Sequence, residues 1–118
     1  MLLRIDPAAG APLYDQIAAS IRADAATGAL VEGDRLPSAR EVAESLDVNL
    51  HTVLKAYQML RDEGLVEMRR GRGAVIGSAA ASLADLRADA QALAARAREL
   101  GVGPEALAAL VRAAAQES

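Results

Sequence analysis

Two helical segments separated by a break of only three residues constrain the fold of this chain more than any other feature. Ser38 and Glu41 have the spacing of a capping box, in which the serine hydroxyl accepts from the amide three residues on and the carboxylate reaches back. The short apolar stripe that follows stops at residues 47–49. Asn49 is a favourable N-cap for a longer second helix, predicted over residues 50–63.

A predicted helix precedes this pair, and a predicted hairpin follows it. Apolar residues recur at helical spacing from Leu13 to Ala25, and Gly28 is a suitable stop. After the longer helix, residues 65–68 and 74–76 are two short β-prone runs on either side of a loop that contains glycines and arginines. Such an arrangement is typical of a β-hairpin.

The remainder of the chain is predicted to form a helical tail. A heptad pattern with alternating 3- and 4-residue steps predicts a helix whose apolar seam pairs two subunits. A Gly-Val-Gly-Pro interruption at residues 101–104 then precedes a last helix. An intrachain seam against the last or the first helix is the alternative. The predicted dimerisation residues are Leu83, Leu86, Ala90, Leu93, Ala97, Leu100, Leu107 and Leu110.

Composition supports a mainly α fold. The chain of 118 residues is 53% hydrophobic, yet Tyr14 and Tyr57 are its only aromatic residues. A core of Ala, Leu, Val and Ile favours packed helices over a β-sandwich. The absence of cysteine excludes disulfides, thiolate nucleophiles and Cys-based zinc sites. The net charge is −3, but residues 65–76 carry three arginines against the single acid Glu67.

Three helices followed by a basic hairpin are the order of a winged helix-turn-helix. The predicted fold class is therefore mainly α with a small β-hairpin. We expect a winged helix-turn-helix DNA-binding domain over residues 1–77 and a short helical dimerisation tail over residues 78–118. Residues 2–5 are predicted to form a short additional strand.

The segments GDRLPSAREVAESLDV and NLHTVLKAYQMLRDEGLVEMRRGRGAVI resemble the DNA-binding domain of GntR-family bacterial repressors over about residues 12–77. The short helical tail is similar to that of the YtrA subfamily, whose tail pairs two subunits and whose genes often lie beside transporter genes. The chain departs from the family pattern at four positions. Asp47 replaces a glycine at the turn, His51 stands where asparagine is frequent, and Leu50 and Leu54 replace polar residues.

The resemblance implies a sequence-specific transcriptional regulator, a repressor that binds a palindromic operator as a homodimer. Its recognition helix would enter the major groove, and its wing would lie on the minor groove or the backbone. Arg40 matches a family position that reaches a base, and an arginine fork fits guanine. The predicted DNA-binding residues are Arg35, Ser38, Arg40, Asn49, Leu50, His51, Thr52, Lys55, Tyr57, Arg69, Arg70, Gly71 and Arg72.

Several of these residues have a second interpretation. Ser38 is a helix cap as well as a phosphate ligand, and a tyrosine such as Tyr57 is more often a core residue than a phosphate contact. Leu54 either contacts a thymine methyl group or packs inside the domain, while His51 is either a base contact or a surface histidine. These alternatives stay open from the sequence.

Other classes of function fit the sequence less well. A helical protein-interaction adaptor on a winged-helix scaffold is the main alternative. The chain has one histidine and no phosphate-binding glycine loop, so no catalytic residues, metal or cofactor are expected. A small-molecule effector is possible, but the short tail leaves little room for a pocket. No apolar run is long enough to cross a membrane and no signal peptide is evident, so a cytoplasmic protein is expected.

Overall fold

The computed structural model describes residues 3–117, which divide into two compact units, the first ending at Asp85 and the second beginning at Leu86. The elements, in chain order, are α1 (Leu13–Thr27), α2 (Ala39–Leu46), α3 (Leu50–Asp62), β1 (Val66–Arg69), β2 (Gly73–Ile76), α4 (Ala79–Glu99) and α5 (Pro104–Gln116). The mainly α fold with one small hairpin is the predicted class. The domain boundary at residues 77/78 stays a prediction.

The core of the first unit lies between α1, α2 and α3. Ile17 and Ile21 of α1 are fully buried and share the core with Val53 and Leu60 of α3. The α3 helix packs against both α1 and α2. Burying an isoleucine or leucine side chain contributes roughly 1.5–3 kcal/mol, so these residues fix the orientation of α3.

The turn between α2 and α3 is left-handed at Asp47, which has φ 54° and ψ 49°. This is the one residue other than glycine with positive φ in the described chain, at the turn position where the family pattern has a glycine. The amide of Val48 donates to the carbonyl of Ala43 at 3.0 Å and closes the end of α2. The Asn49 side chain accepts from the amide of His51 at 2.8 Å and starts α3.

The capping box at the start of α2 forms only in part. The Ser38 hydroxyl accepts from the amide of Glu41 at 3.1 Å, as predicted. The return bond from the Ser38 amide to the Glu41 carboxylate is not formed among the hydrogen bonds of residues 3–117. The Glu41 side chain instead lines a groove beside the hairpin.

The hairpin pairs β1 with β2 in antiparallel register, with Val66 opposite Ile76 and Arg69 opposite Gly73. Residues 33–36, between α1 and α2, pair with the other edge of β2. The Gly33 amide donates to the Ile76 carbonyl at 2.8 Å, and the Leu36 amide donates to Ala74 at 2.9 Å. The hairpin is therefore extended by a segment for which the sequence predicted no strand.

The prediction of a strand at residues 2–5 is wrong for residues 3–5. Residues 3–5 have no regular secondary structure, and Leu2 lies outside the described residues. The physical reason is that residues 33–36 occupy the edge of β2. Leu3 and Ile5 contribute apolar side chains packed against the core instead.

The second unit contains most of α4, the turn after it and α5. The amide of Val102 donates to the carbonyl of Ala97 at 2.8 Å, and Gly101 adopts φ 75° at the end of α4. Gly103 precedes Pro104, which begins α5. The predicted interruption at residues 101–104 is confirmed. No residue of α5 is buried.

Candidate nucleic-acid interface

The outward face of α3 carries the side chains that were predicted to meet DNA. Four residues of the helix turn inward to the core, namely Val53, Ala56, Tyr57 and Leu60. The opposite face presents His51, Leu54, Lys55 and Gln58, all of which are exposed. This division follows the helical period, so an unobstructed polar face lies along the first two turns of α3.

Three other predicted residues at the start of α3 have structural roles. The side-chain oxygen of Asn49 is engaged in capping the helix. Leu50 is half-buried and packs against the core. Thr52 is half-buried as well. These three residues therefore lie at the base of the exposed face, and Leu54 is the leucine whose side chain projects from it, at 44% exposure.

The start of α2 and the hairpin enclose an open groove of about 400 Å³. Arg35, Ser38 and Arg72 line it, together with the carboxylate of Glu41. Arg40 is exposed on the first turn of α2, and within residues 3–117 no hydrogen bond or ion pair engages its guanidinium. The structure thus brings Arg35 and Arg72 together beside the N-terminus of α2.

Tyr57 is a buried residue whose hydroxyl is already engaged. The hydroxyl donates to the carbonyl of Pro37 at 2.7 Å and so ties α3 to the segment that leads into α2. Burial raises the pKa of Tyr57 to about 12, and the nearby carboxylate of Glu41 adds to the effect. Of the two interpretations that the sequence left open for Tyr57, the structure shows the core position.

The three arginines of the hairpin differ in their surroundings. The Arg69 guanidinium forms an ion pair with Glu67 at 2.9 Å, on the same face of β1. The guanidinium of Arg72 donates to the carbonyl of Gly33 at 3.1 Å. Arg70 is exposed at the tip, and no hydrogen bond or ion pair within the described chain engages it. Gly71 beside it has φ 78°.

Two contacts near α3 were not anticipated from the sequence. The ammonium of Lys55 lies over the ring of Tyr14, 3.9 Å from its centroid. Arg22 of α1 forms an ion pair with Glu63 at the C-terminal end of α3. Both pairs join residues about forty positions apart, and neither has a local pattern that would reveal it. They show that α1 contributes side chains to both ends of α3.

A capped helix pair, a third helix packed against it and a basic hairpin in the same compact unit define a winged helix-turn-helix of the DNA-binding regulator class. The model of bacterial regulatory proteins of the gntR family matches residues 13–76. The chain belongs to the GntR family of bacterial regulatory proteins, as the resemblance in the sequence implied.

Relatives of known name agree with this assignment. The chain is 41% identical over 75 residues to the HTH-type transcriptional repressor YtrA of Bacillus subtilis, covering 64% of this chain and 58% of that protein. It is 37% identical over 100 residues to an HTH-type transcriptional regulator of Mycobacterium tuberculosis, covering 85% of this chain and 83% of the relative. The chain therefore spans less than two thirds of the length of the Bacillus repressor.

A solved structure extends the similarity into the tail. The GntR-family transcription factor YtrA of Sulfolobus acidocaldarius superposes with a TM-score of 0.62 at 37% identity, covering 84% of this chain and 99% of that one. The YtrA-like resemblance noted in the sequence is therefore confirmed.

Within residues 3–117, no three His, Asp or Glu side chains gather closely enough to hold a metal ion. None of the helices in that range is both long and apolar enough to cross a membrane.

Proposed function

We propose that this GntR-family regulator represses transcription by binding a palindromic operator as a homodimer. The observation that carries the proposal is the polar face of α3, which stands clear of the core in the same compact unit as the groove lined by Arg35, Ser38 and Arg72. The Bacillus relative is named as a transcriptional repressor, which supports repression rather than activation.

Base contacts are assigned to the residues whose side chains are exposed and unengaged. Arg40 offers five donors in a fork that fits guanine O6 and N7 in the major groove. His51 and Leu54 lie on the outward face of α3, where an imidazole reaches a base edge and a leucine contacts a thymine methyl group. These residues would set the operator sequence.

Phosphate contacts are assigned to the cationic and capping residues around that face. Lys55 and Arg70 carry charges that no carboxylate within residues 3–117 neutralises. Arg35, Ser38 and Thr52 supply further donors beside the N-terminus of α2 or α3. Phosphate contacts provide most of the affinity without sequence preference, whereas base contacts specify the site.

The homodimer is proposed to form through the helical tail. Leu86 and Leu93 of α4 and Leu100 directly after it follow one another at intervals of seven and are 59%, 41% and 69% exposed. Leu110 of α5 is 60% exposed. Two helices with so many uncovered leucines and no buried residue in α5 gain stability when a second copy covers them. Ala97, by contrast, is buried within its own unit.

The experiment that tests operator recognition is selection of bound sites from random duplex DNA by the full chain. A dimer is expected to enrich two inverted half-sites about one or more helical turns apart. Enrichment of a single half-site without its inverted copy would argue against dimeric recognition. Failure to enrich any sequence, with no salt-sensitive retention on DNA, would favour the protein-interaction adaptor.

Sedimentation equilibrium tests the tail. The chain is expected to be dimeric at micromolar concentration, and Leu93→Glu is expected to shift it towards monomer by placing a charge in the seam. Ala92→Glu adds the same charge at the adjacent exposed position and should leave the dimer intact. A monomeric wild-type chain, or equal effects of the two variants, would contradict the proposed interface.

A further inference from the structure

We infer that Tyr14 of α1 is a positioning residue for DNA binding, which holds the ammonium group of Lys55 against the edge of the recognition surface. The inference rests on the proposed contact between Lys55 and a DNA phosphate. It adds a residue of the first helix to an interface otherwise built from α2, α3 and the hairpin.

The geometry that carries this inference is the position of Lys55 over an aromatic face. Its ammonium nitrogen lies 3.9 Å from the centroid of the Tyr14 ring, well within the range of a cation–π interaction. Tyr14 is half-buried and packs against the core, so its ring is held in place by the domain. Lys55 itself is exposed on the outward face of α3, one turn after His51.

An aromatic partner has a different consequence for the lysine than a carboxylate would have. In the described chain Lys55 belongs to neither of the two ion pairs, so its charge is oriented without being neutralised. The Arg69 guanidinium, in contrast, has Glu67 as its partner and must exchange that partner for a phosphate. The Tyr14 ring therefore keeps the positive charge of Lys55 available to DNA.

Orientation matters because a lysine side chain is long and flexible. Its four-carbon stem rotates freely, and part of that rotamer entropy is lost when the ammonium contacts a phosphate. A ring that restricts the stem in the free protein reduces this loss on binding. Tyr14 acts through Lys55, so removing the ring should matter only when the lysine is present.

A double-mutant cycle with Tyr14→Leu and Lys55→Met on random-sequence duplex DNA tests this dependence. Tyr14→Leu is expected to weaken binding about two- to fivefold, from the usual strength of an exposed cation–π pair. Lys55→Met is expected to weaken binding to every sequence and to lower the salt slope by about 1. In the Lys55→Met background, Tyr14→Leu should have no further effect. Tyr14→Phe, which restores the ring without the hydroxyl, should recover the wild-type affinity.

Thermal unfolding of each variant separates folding from binding. A second readout is the ring-current shift of the Lys55 ε-methylene protons by NMR, which should be present in the wild-type chain and in Tyr14→Phe and absent from Tyr14→Leu. Its absence from the wild-type chain would overturn the inference whatever the binding data show.

Each remaining outcome decides the question. If Tyr14→Leu lowers the affinity for DNA equally with and without Lys55, the positioning role is overturned. A loss in Tyr14→Phe as large as in Tyr14→Leu overturns it in favour of a contact by the hydroxyl. If Lys55→Met has no effect while Arg40→Ala does, the inference fails and the proposed function stands. If the wild-type chain binds no DNA, both fail.

Discussion

The guanidinium of Arg22 on α1 donates two hydrogen bonds to the carboxylate of Glu63 at the C-terminal end of α3. One of them, from Nε, is 2.8 Å long. A carboxylate at a helix C-terminus meets the negative end of the helix dipole, and Arg22 offsets that repulsion. The hydrogen bond to Glu63 raises the pKa of Arg22 despite the opposing effect of burial. The pair fixes the far end of α3 against α1.

Removing this ion pair should weaken the fold slightly. The two side chains are 36% and 39% exposed, so solvent screening limits their attraction. We expect Arg22→Met to lower the free energy of unfolding by about 0.5–1 kcal/mol, and less in 1 M salt. Urea unfolding at the two salt concentrations measures the effect. In the Glu63→Gln background, Arg22→Met should lower the free energy of unfolding clearly less. An equal loss in both backgrounds would show that the ion pair does not contribute to stability.

The ion pair between Arg69 and Glu67 predicts that an acid within the hairpin limits DNA affinity. Glu67→Gln removes a negative charge and frees Arg69, so binding to random duplex DNA should tighten about two- to fivefold at low salt, and the salt dependence should steepen. Titration at several salt concentrations measures both. Glu32→Gln, at an exposed position outside the hairpin, is the matched control for net charge. An equal gain in both variants would assign the effect to overall charge.

Gly77 is required where the hairpin leads into α4. A Cβ atom at this residue would lie 2.4 Å from the carbonyl oxygen of Gly64 and 3.0 Å from Cγ of Glu67. Because the closest obstacle is backbone, Gly77→Ala should lower the free energy of unfolding by about 1–3 kcal/mol. Gly10→Ala meets no atom within 4 Å and should be close to neutral. Thermal or urea unfolding distinguishes them, and equal stability would contradict the packing described here.

The buried hydroxyl of Tyr57 should make the domain less stable at alkaline pH. Its pKa is about 12 in the folded chain, against about 10 for an exposed tyrosine. The folded state therefore holds the phenolic proton of Tyr57 more tightly than the unfolded state does. The contribution of this difference to the free energy of unfolding is fully present below pH 10 and is lost as the pH rises towards 12. The loss amounts to about 2–3 kcal/mol.

Urea unfolding of the wild-type chain and of Tyr57→Phe at pH 9 and pH 11 isolates this contribution, because other titrating groups act on both proteins. The wild-type chain should lose more stability between the two pH values than the variant. Parallel losses would mean that the hydroxyl is not protected by burial and by its bond to Pro37.

Arg40 should determine one base of the operator. Arg40→Ala is expected to cost about 1–3 kcal/mol on the selected operator and to relax the preference at one position of each half-site. Arg70→Ala should instead weaken binding to all sequences alike and lower the salt slope by about 1. Competition titrations with single-base operator variants compare the two. An unchanged base preference in Arg40→Ala would exclude a base contact by this residue.

Local signals in the sequence were sufficient for the helices. The Asn49 cap, the break between α2 and α3 at residues 47–49 and the end of α3 before Gly64 depend on neighbouring residues, and each is observed where the sequence predicted it. The outward face of α3 followed from the helical period alone. Such features are encoded within a few residues and do not require knowledge of the tertiary fold.

Contacts between distant segments were the part that could not be predicted. Residues 33–36 contain glycine and charged side chains typical of a loop, and only the edge of β2 makes them pair. The contacts of Tyr14 with Lys55 and of Arg22 with Glu63 depend on how α1 crosses α3. The pairing of Glu67 with Arg69 was accessible in principle, since residues two apart on a strand share a face.

The pairing of residues 33–36 with β2 anchors the two-stranded wing along its second edge. Val75, in the middle of β2, is fully buried even though it belongs to the hairpin. Opening the wing would therefore break the link between α1 and α2 as well, so its backbone amides should exchange with deuterium almost as slowly as those of α3. Unlike a hinged flap, such a wing would meet a duplex in a shape that is already set, and the DNA would be the partner that bends.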